Sequence, residues 1–330
     1  MTVLPEIDVA PLLSAGGADD ARVGAAIDAA CTETGFFYLT GHGLDPDLLN
    51  RLDSLARRFF EMPESDKESI AMERAGRAWR GWFPVGAELT SGMPDAKEGI
   101  YFGEELAPDH PRVIARTPLH GGNLFPAEPA GLRAAVLEYI EAMTRLAQAV
   151  LSGIAIGLGL DRSWFSQNLT REPLVLFRIF RYPSLESGVA PDAWSVGEHT
   201  DYGLLTILGQ DGSGGLQAKT REGWIDVPPS SGAFVCNLGD MLERLTGGRY
   251  RSTPHRVRNA GTADRLSFPF FIDPSWGARV DRLPIIGRPA DKGAAERWDH
   301  MNVHGFEGTY GDYILSKVEK VFPQLAAGEI

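Results

Sequence analysis

Cysteine is nearly missing from this 330-residue chain: Cys31 and Cys236 are the only two, and no Cys-x-x-Cys pair exists. That excludes a disulfide framework and a zinc ribbon. Positive charge is also short. Lys and Arg number 32 against 44 Asp and Glu, a formal net charge of −12, which is the wrong balance for gripping phosphate backbones. No apolar run approaches the ~20 residues of a membrane span, and the start (Met-Thr-Val-Leu-Pro-Glu) lacks the basic flank of a signal peptide. There is no phosphate loop, no Gly-x-Ser-x-Gly elbow, no internal repeat and no low-complexity tract. The expectation is a soluble cytoplasmic protein acting on a small molecule, with neither nucleic acid nor membrane as partner.

What is present is ample apolar material, 43% of the residues, arranged in changing periods. An alanine-rich stretch after Asp19 and Asp20 reads as a helix stopped at Thr34-Gly35, and Phe36–Thr40 as a short strand. Asp45-Pro46 opens a helix, with Asp as cap and Pro in the first turn; its Leu48, Leu52, Leu55, Phe59 and Phe60 share one face. Residues 75–127 read as loops with short strands such as 99–102. A long helix follows, whose buried stripe runs Leu132, Val136, Ile140, Met143, Leu146, Val150, Ile154. From residue 171 short β-type runs recur at 174–182, 204–208, 216–219, 233–238, 255–258 and 266–272, separated by Gly-rich or polar turns. The division expected is 1–127 as an N-terminal helix-and-strand region, 128–160 as a spine helix, 171–275 as a β core and 276–330 as a C-terminal helical region, all in one domain. The class is α+β with a mainly β core.

Among seven histidines, His199 has the richest context, Gly197-Glu-His-Thr-Asp-Tyr-Gly203. Residues two apart on a strand point to one face with Cα atoms roughly 7 Å apart, so His199 and Asp201 can reach one ion. His255 follows with 53 residues between, on a later β-type run. Two histidines and a carboxylate on one side of a metal leave its other side open, which suits non-haem Fe(II) and O₂. Ten residues past His255 come Arg265 and Ser267, two apart on the next run. A turn at 259–264 would make the two runs hairpin neighbours. Arg265 would then hold a carboxylate bidentately and Ser267 would add a hydrogen bond. His300 and His304 have helical spacing but lack the Glu of a zincin, and 211–215 reads as a hairpin turn.

These motifs, with Asn237-Leu-Gly-Asp240, Ser252-Thr-Pro-His255-Arg-Val257, Gly35-Phe-Phe-Tyr, His42-Gly43 and Arg80-Gly-Trp82, resemble the isopenicillin N synthase-like family of Fe(II)/2-oxoglutarate-dependent dioxygenases. The resemblance covers nearly the whole chain. It implies a double-stranded β-helix (jelly roll) with flanking helices, and an enzyme that oxidises a small molecule using Fe(II), O₂ and 2-oxoglutarate. By that resemblance His199, Asp201 and His255 are the metal ligands, and Arg265 with Ser267 grips the far carboxylate of 2-oxoglutarate. Plant members commonly carry Asn-x-Tyr on the strand before the motif; here Tyr182 matches but Phe180 replaces the Asn, and Arg178 would supply a cation near the iron-bound carboxylate instead. Tyr202, Glu88 and Thr90 are candidate substrate contacts, with Trp82, Tyr101 and Phe102 as candidate aromatic walls. The family's oxidase branch uses the same Arg-x-Ser pair for the substrate's own carboxylate, without a cosubstrate. A non-catalytic jelly-roll binding protein is the third reading.

Overall fold

Alternation along the strands sorts this chain into two cores. The computed structural model describes residues 3–14, 16–17, 19–184, 194–259, 261–285 and 302–321. The strands are β1 (Glu6–Asp8), β2 (Phe36–Thr40), β3 (Gly81–Phe83), β4 (Leu89–Thr90), β5 (Met93–Pro94), β6 (Glu98–Gly103), β7 (Pro173–Tyr182), β8 (Val196–His199), β9 (Leu205–Gln210), β10 (Leu216–Thr220), β11 (Gly223–Asp226), β12 (Phe234–Leu238), β13 (His255–Val257) and β14 (Arg265–Ser275). The helices are α1 (Asp20–Glu33), α2 (Pro46–Phe60), α3 (Glu64–Lys67), α4 (Pro111–Ile114), α5 (Leu132–Gly157), α6 (Trp164–Asn168), α7 (Asp240–Leu245) and α8 (Tyr310–Val321). A large sheet runs β1-β2-β12-β9-β14-β7-β6-β3, a smaller one β11-β10-β13-β8, and β4 with β5 makes a two-stranded ribbon.

The outer face of the large sheet carries Ile100, Phe102, Phe177, Ile179, Ile207, Phe268 and Phe270, packed into one apolar core with α1, α2 and α5. The α2 start is as read: Asp45 Oδ1 accepts from Asp47 N, with Pro46 in the first turn. The α5 helix carries the expected stripe, from Leu132 to Ile154. The inner face meets the small sheet across a second cluster, in which Phe83, Tyr101, Phe180, Tyr182 and Val235 face Leu216, Ala218 and Val257. Two sheets closed over one interior, with helices outside, is the jelly-roll arrangement.

Three expectations change. The β core is not confined to 171–275, because β1, β2, β3 and β6 belong to the same large sheet. Both faces of β3 and β6 are buried, so no period-two pattern marks them in the sequence. His255 and Arg265 are not hairpin neighbours: β13 pairs with β8 and β10, whereas β14 pairs with β7 and β9. The chain between β13 and β14 therefore passes from one sheet to the other, and Asn259 Nδ2 donates to the carbonyls of Tyr182 and Ala263 at 3.0 Å each. The Gly-rich 211–215 segment likewise crosses from β9 to β10 and is not a hairpin turn.

The α8 helix returns to β14 and β4. Tyr310 at its start donates its hydroxyl to Asp273 Oδ2 at 2.5 Å. His300 lies outside the described residues; His304 Nε2 sits 3.9 Å from Glu243 Oε1. Among the described residues no helix is long and apolar enough to cross a membrane. Cys31 and Cys236 are buried and unpaired.

Candidate metal centre and cosubstrate grip

The small sheet brings the three expected ligands together. His255 at the start of β13 is the register partner of His199 at the end of β8. Asp201 lies just past β8, not on it, yet its Oδ1 comes 3.9 Å from His199 Nε2 and 3.7 Å from His255 Nε2. One ligand atom from each residue falls within a 4.8 Å set. Both Nδ1 atoms face carbonyl oxygens, Gly197 O at 2.8 Å and Thr253 O at 3.1 Å. A carbonyl only accepts, so each Nδ1 carries the proton and each Nε2 lone pair turns inward. Burial, then the neighbouring His255, pushes His199 down to about 3, leaving it neutral and ready to ligate.

Asp201 is fixed by its other oxygen. Oδ2 accepts from Thr206 Oγ1 at 2.5 Å and Asn237 Nδ2 at 2.7 Å. Burial alone would raise its pKa, but the two imidazoles and these donors outweigh it, so the carboxyl is held below its usual range. The Asn237-Leu-Gly-Asp240 segment also fastens the loop through its backbone, with Asp240 N donating to Asp201 O at 2.7 Å and Gly239 N to Leu204 O at 3.0 Å. Gly203 is required by close approach: a Cβ there would stand 1.5 Å from Asp273 Oδ1. The sequence marked Asn237 as part of a motif, but a partner 36 residues away in the chain carries no local signal.

Arg265 and Ser267 come from the large sheet. Arg265 is 1% exposed; its Nε donates to Gly214 O at 2.5 Å and its Nη2 to Gln210 at 3.2 Å, while Nη1 is buried without a partner among the described residues. Its guanidinium lies 4.7 Å from the Tyr182 ring centroid, and the Tyr182 and Ser267 hydroxyls sit 3.0 Å apart. An orphaned buried guanidinium nitrogen beside two hydroxyls fits a carboxylate of a small acid. The Gly-rich crossover thus positions Arg265, a task invisible in its composition.

Arg178 shares the inner face with Phe180 and Tyr182. Its guanidinium sits 4.1 Å from the Tyr101 ring and 4.8 Å from Phe271, with Nη1 3.9 Å from Glu88 Oε1 and Nε unpartnered among the described residues. Phe180, where the Asn was expected, packs 6.1 Å from Tyr101; Gly99 makes room, since a Cβ there would stand 2.6 Å from the Phe180 ring. Glu88 is buried, accepting from the Tyr101 hydroxyl at 2.6 Å and lying 3.0 Å from Lys97 Nζ. Burial would push Glu88 up, but Lys97 and Arg178 together hold it below the usual range. Thr90 donates to Asp95 at 2.7 Å and borders Gly197 of β8. Burial pushes Tyr202 up to about 12. Tyr101 faces the interior as expected; Trp82 and Phe102 do not, because they lie on the outer side, where Trp82 donates to Glu98 at 2.8 Å. Lys97 and Asp95, paired at 2.6 Å, were missed. Nothing in Asp95-Ala-Lys97 distinguishes it from a surface charge pair.

Two family patterns match the chain: the non-haem dioxygenase in morphine synthesis N-terminal region over residues 4–128, and the 2OG-Fe(II) oxygenase superfamily over residues 174–274. A probable iron/ascorbate oxidoreductase of Dictyostelium discoideum is 49% identical, covering 91% of this chain and 88% of its own length. A 1-aminocyclopropane-1-carboxylate oxidase of Dictyostelium mucoroides is 36% identical over 97% of this chain and 95% of its own. Among solved structures, a full-length Neurospora crassa protein in complex with alpha-KG and thymine superposes with a TM-score of 0.78 at 26% identity, covering 98% of this chain and 97% of its own. A His-Asp-His cluster able to hold a metal, the jelly roll and the full-length likeness agree: the chain belongs to the Fe(II)- and 2-oxoglutarate-dependent oxygenases, a family of oxidoreductases.

Proposed function

We propose that the protein couples decarboxylation of 2-oxoglutarate to oxidation of a small molecule, releasing succinate and CO₂. The observation that carries this reading is the pairing of a cluster of three potential metal ligands with a buried guanidinium nitrogen on Arg265 that has no partner among the described residues, the first on the small sheet and the second on the inner face of the large one. Iron with 2-oxoglutarate and O₂ supplies the oxidising power that removes a hydrogen from the substrate. The protein's part is placement. His199, Asp201 and His255 would hold the ion, and the carbonyls and donors behind them fix the orientation of the three side chains. Arg265, Ser267 and Tyr182 receive the far carboxylate, and Arg178 provides a second cation facing the metal loop. Tyr202, Glu88 and Thr90 are the substrate-side contacts. Hydroxylation, desaturation and ring closure all begin with this hydrogen removal. The unpaired thiols fit a reducing compartment, in keeping with a cytoplasmic enzyme.

The test is succinate release from 2-oxoglutarate by the iron-loaded protein, with iron content measured alongside. Asp201→Ala is expected to lose iron and to reduce succinate formation to background; wild-type turnover in that variant would sink the scheme. The oxidase reading has one specific support, the likeness to a 1-aminocyclopropane-1-carboxylate oxidase. Substrate oxidation with no 2-oxoglutarate consumed would select it.

A further inference from the structure

Among the described residues, the Arg265 guanidinium takes its hydrogen bonds from one short stretch, 210–214, where the chain leaves β9 of the large sheet for β10 of the small one. Gly214 O accepts from Nε at 2.5 Å and Gln210 Oε1 from Nη2 at 3.2 Å. Both acceptors are neutral, so the cation is placed without being neutralised and its charge stays available to an anion. A protein carboxylate on the guanidinium would compete with that anion. Two carboxylates are near, and neither is spent on it. Asp264, just before it in the chain, accepts from Arg181 Nε at 2.6 Å and Ser184 N at 2.9 Å. Asp211 is spent on the residue that follows.

Asp211 meets Leu266 through both its backbone and its side chain. Its N–H donates to Leu266 O at 3.3 Å, and its Oδ2 accepts from Leu266 N at 2.6 Å. The register of β9 with β14 ends at Gln210, opposite Ser267. The carboxylate therefore supplies the rung that the departing backbone cannot. Its Oδ1 accepts from Ser213 N at 3.0 Å, a side-chain turn that starts the crossover toward Gly214. At the far end Gly215, at φ +90°, passes so close to β13's trailing residue that a Cβ would stand 2.2 Å from Arg258 O. The loop is thus held at both ends. The Asp211 side chain is 5% exposed, and its charge is met from α2, where Arg57 Nη2 donates to Oδ2 at 3.1 Å. Arg57 is itself set by Asp53, one turn earlier, at 2.9 and 3.1 Å. One carboxylate ties the strand that carries Arg265 to the loop that carries its acceptor.

We propose that Asp211, anchored by Arg57, is the positioning residue of the cosubstrate grip: it sets the place and plane of the Arg265 guanidinium without touching the cosubstrate. The proposal rests on the oxygenase reading above and extends the grip from the inner face of the large sheet to a helix on its outer side.

The experiment compares two keto acids on the full iron-loaded chain kept free of O₂: 2-oxoglutarate, and 2-oxobutyrate, which has the same 2-oxo acid end but no second carboxylate. Titration calorimetry gives both dissociation constants. Asp211→Ala should weaken 2-oxoglutarate about 10–100-fold, the range for a group that orients a binding side chain. It should weaken 2-oxobutyrate less than about twofold. Asp211→Asn keeps an acceptor for Leu266 N without the charge, and should return to within about fivefold of wild type. Arg57→Ala keeps the carboxylate without its anchor, and should cost about three- to fivefold. In an Arg265→Ala background, Asp211→Ala should add less than about twofold, because it acts only through the guanidinium. Melting temperatures report folding, and amide hydrogen exchange at Leu266 should quicken about tenfold or more in Asp211→Ala. An unmoved 2-oxoglutarate constant in Asp211→Ala, equal weakening of both keto acids, or a loss that adds in full to that of Arg265→Ala overturns the proposal. An unmoved Arg57→Ala overturns the anchor on α2. A wild-type chain that binds no 2-oxoglutarate refutes the oxygenase reading instead. Exchange at Leu266 then decides the rest: quickened in Asp211→Ala, it upholds Asp211 as the residue that holds the Arg265 strand, and unchanged, it overturns that role too.

Discussion

Along β14, Leu266, Phe268, Phe270 and Ile272 turn toward the helices, while Arg265, Ser267, Phe271 and Asp273 turn toward the small sheet. The β7 strand repeats the division, with Phe177 and Ile179 outward and Arg178, Phe180 and Tyr182 inward. One face is a close-packed apolar wall that joins the sheet to α1, α2 and α5. The other holds cations, hydroxyls and aromatic rings with donors left over. The period of two thus separates what keeps the fold together from what the fold is for, on the same strands. Substitutions on adjacent residues should accordingly fail in different ways.

The sharpest contrast is expected from Arg265→Ala. It removes the buried guanidinium that carries the orphaned Nη1, and KM for 2-oxoglutarate should rise on the order of 10²–10³-fold, measured by succinate formation. Arg265→Lys keeps the charge but not the planar fork, so it should fall between. An unchanged KM would mean that the inner face does not receive the cosubstrate. Five residues on, Phe270→Ala opens a hole in the outer core, where Phe270 is fully buried. It should cost about 3–5 kcal/mol of unfolding free energy by urea titration, with the 2-oxoglutarate KM of the remaining folded protein unchanged. A variant that lost cosubstrate affinity in step with stability would erase the separation of the two faces.

Asp273 tests whether the inner face costs stability. Burial, with nearby Asp201 adding to it, pushes its carboxyl from 3.8 up to about 7. Between those values the folded state binds the proton more tightly than the unfolded chain, so stability falls as pH rises through that window, and above about 7 the buried charge is fully carried. Asp273→Asn has no such titration. From pH 5 to pH 8 the stability of the metal-free variant should gain on wild type by about 3 kcal/mol, whatever the offset between them at pH 5. Parallel curves would show that Asp273 titrates normally.

Much of this division is legible in the sequence, and the limits are physical. The stripe of α5 is visible because one side of the helix is apolar and the other is not, and β7 and β14 are visible as apolar, β-type runs between turn residues. The β3 strand escapes because both of its faces are buried, β6 is legible as a short strand at 99–102 but not as part of the core sheet, and the 211–215 and 259–264 segments misread as hairpin turns because turn chemistry does not say which sheet the next strand joins. The metal triad survives that misreading, since β8 and β13 pair directly. Arg265 does not reach the interior through a hairpin with β13; the facing of the two sheets brings it there instead. Lys97, Asp95 and Thr206 have partners close by in the chain, but pairs at two and five residues are common on surfaces, and only their burial in the fold sets them apart.

The smallest expected effect joins the two sheets. Asn237 and Thr206 lie on the large sheet, on paired strands β12 and β9, and are register partners. Both donate to Asp201 Oδ2, so the sheet that carries no ligand orients the carboxylate that the small sheet's histidines face. Groups behind a ligand typically change metal affinity about 10–100-fold when removed. Asn237→Ala should therefore weaken iron binding by about 10–100-fold, at modest cost to melting temperature, and excess iron should restore most of the turnover. That recovery is what separates loss of orientation from loss of a ligand, because Asp201→Ala should not recover. If Asn237→Ala binds iron as tightly as wild type, the Thr206 hydroxyl alone suffices. The large sheet's inner face then serves the metal through one donor rather than two.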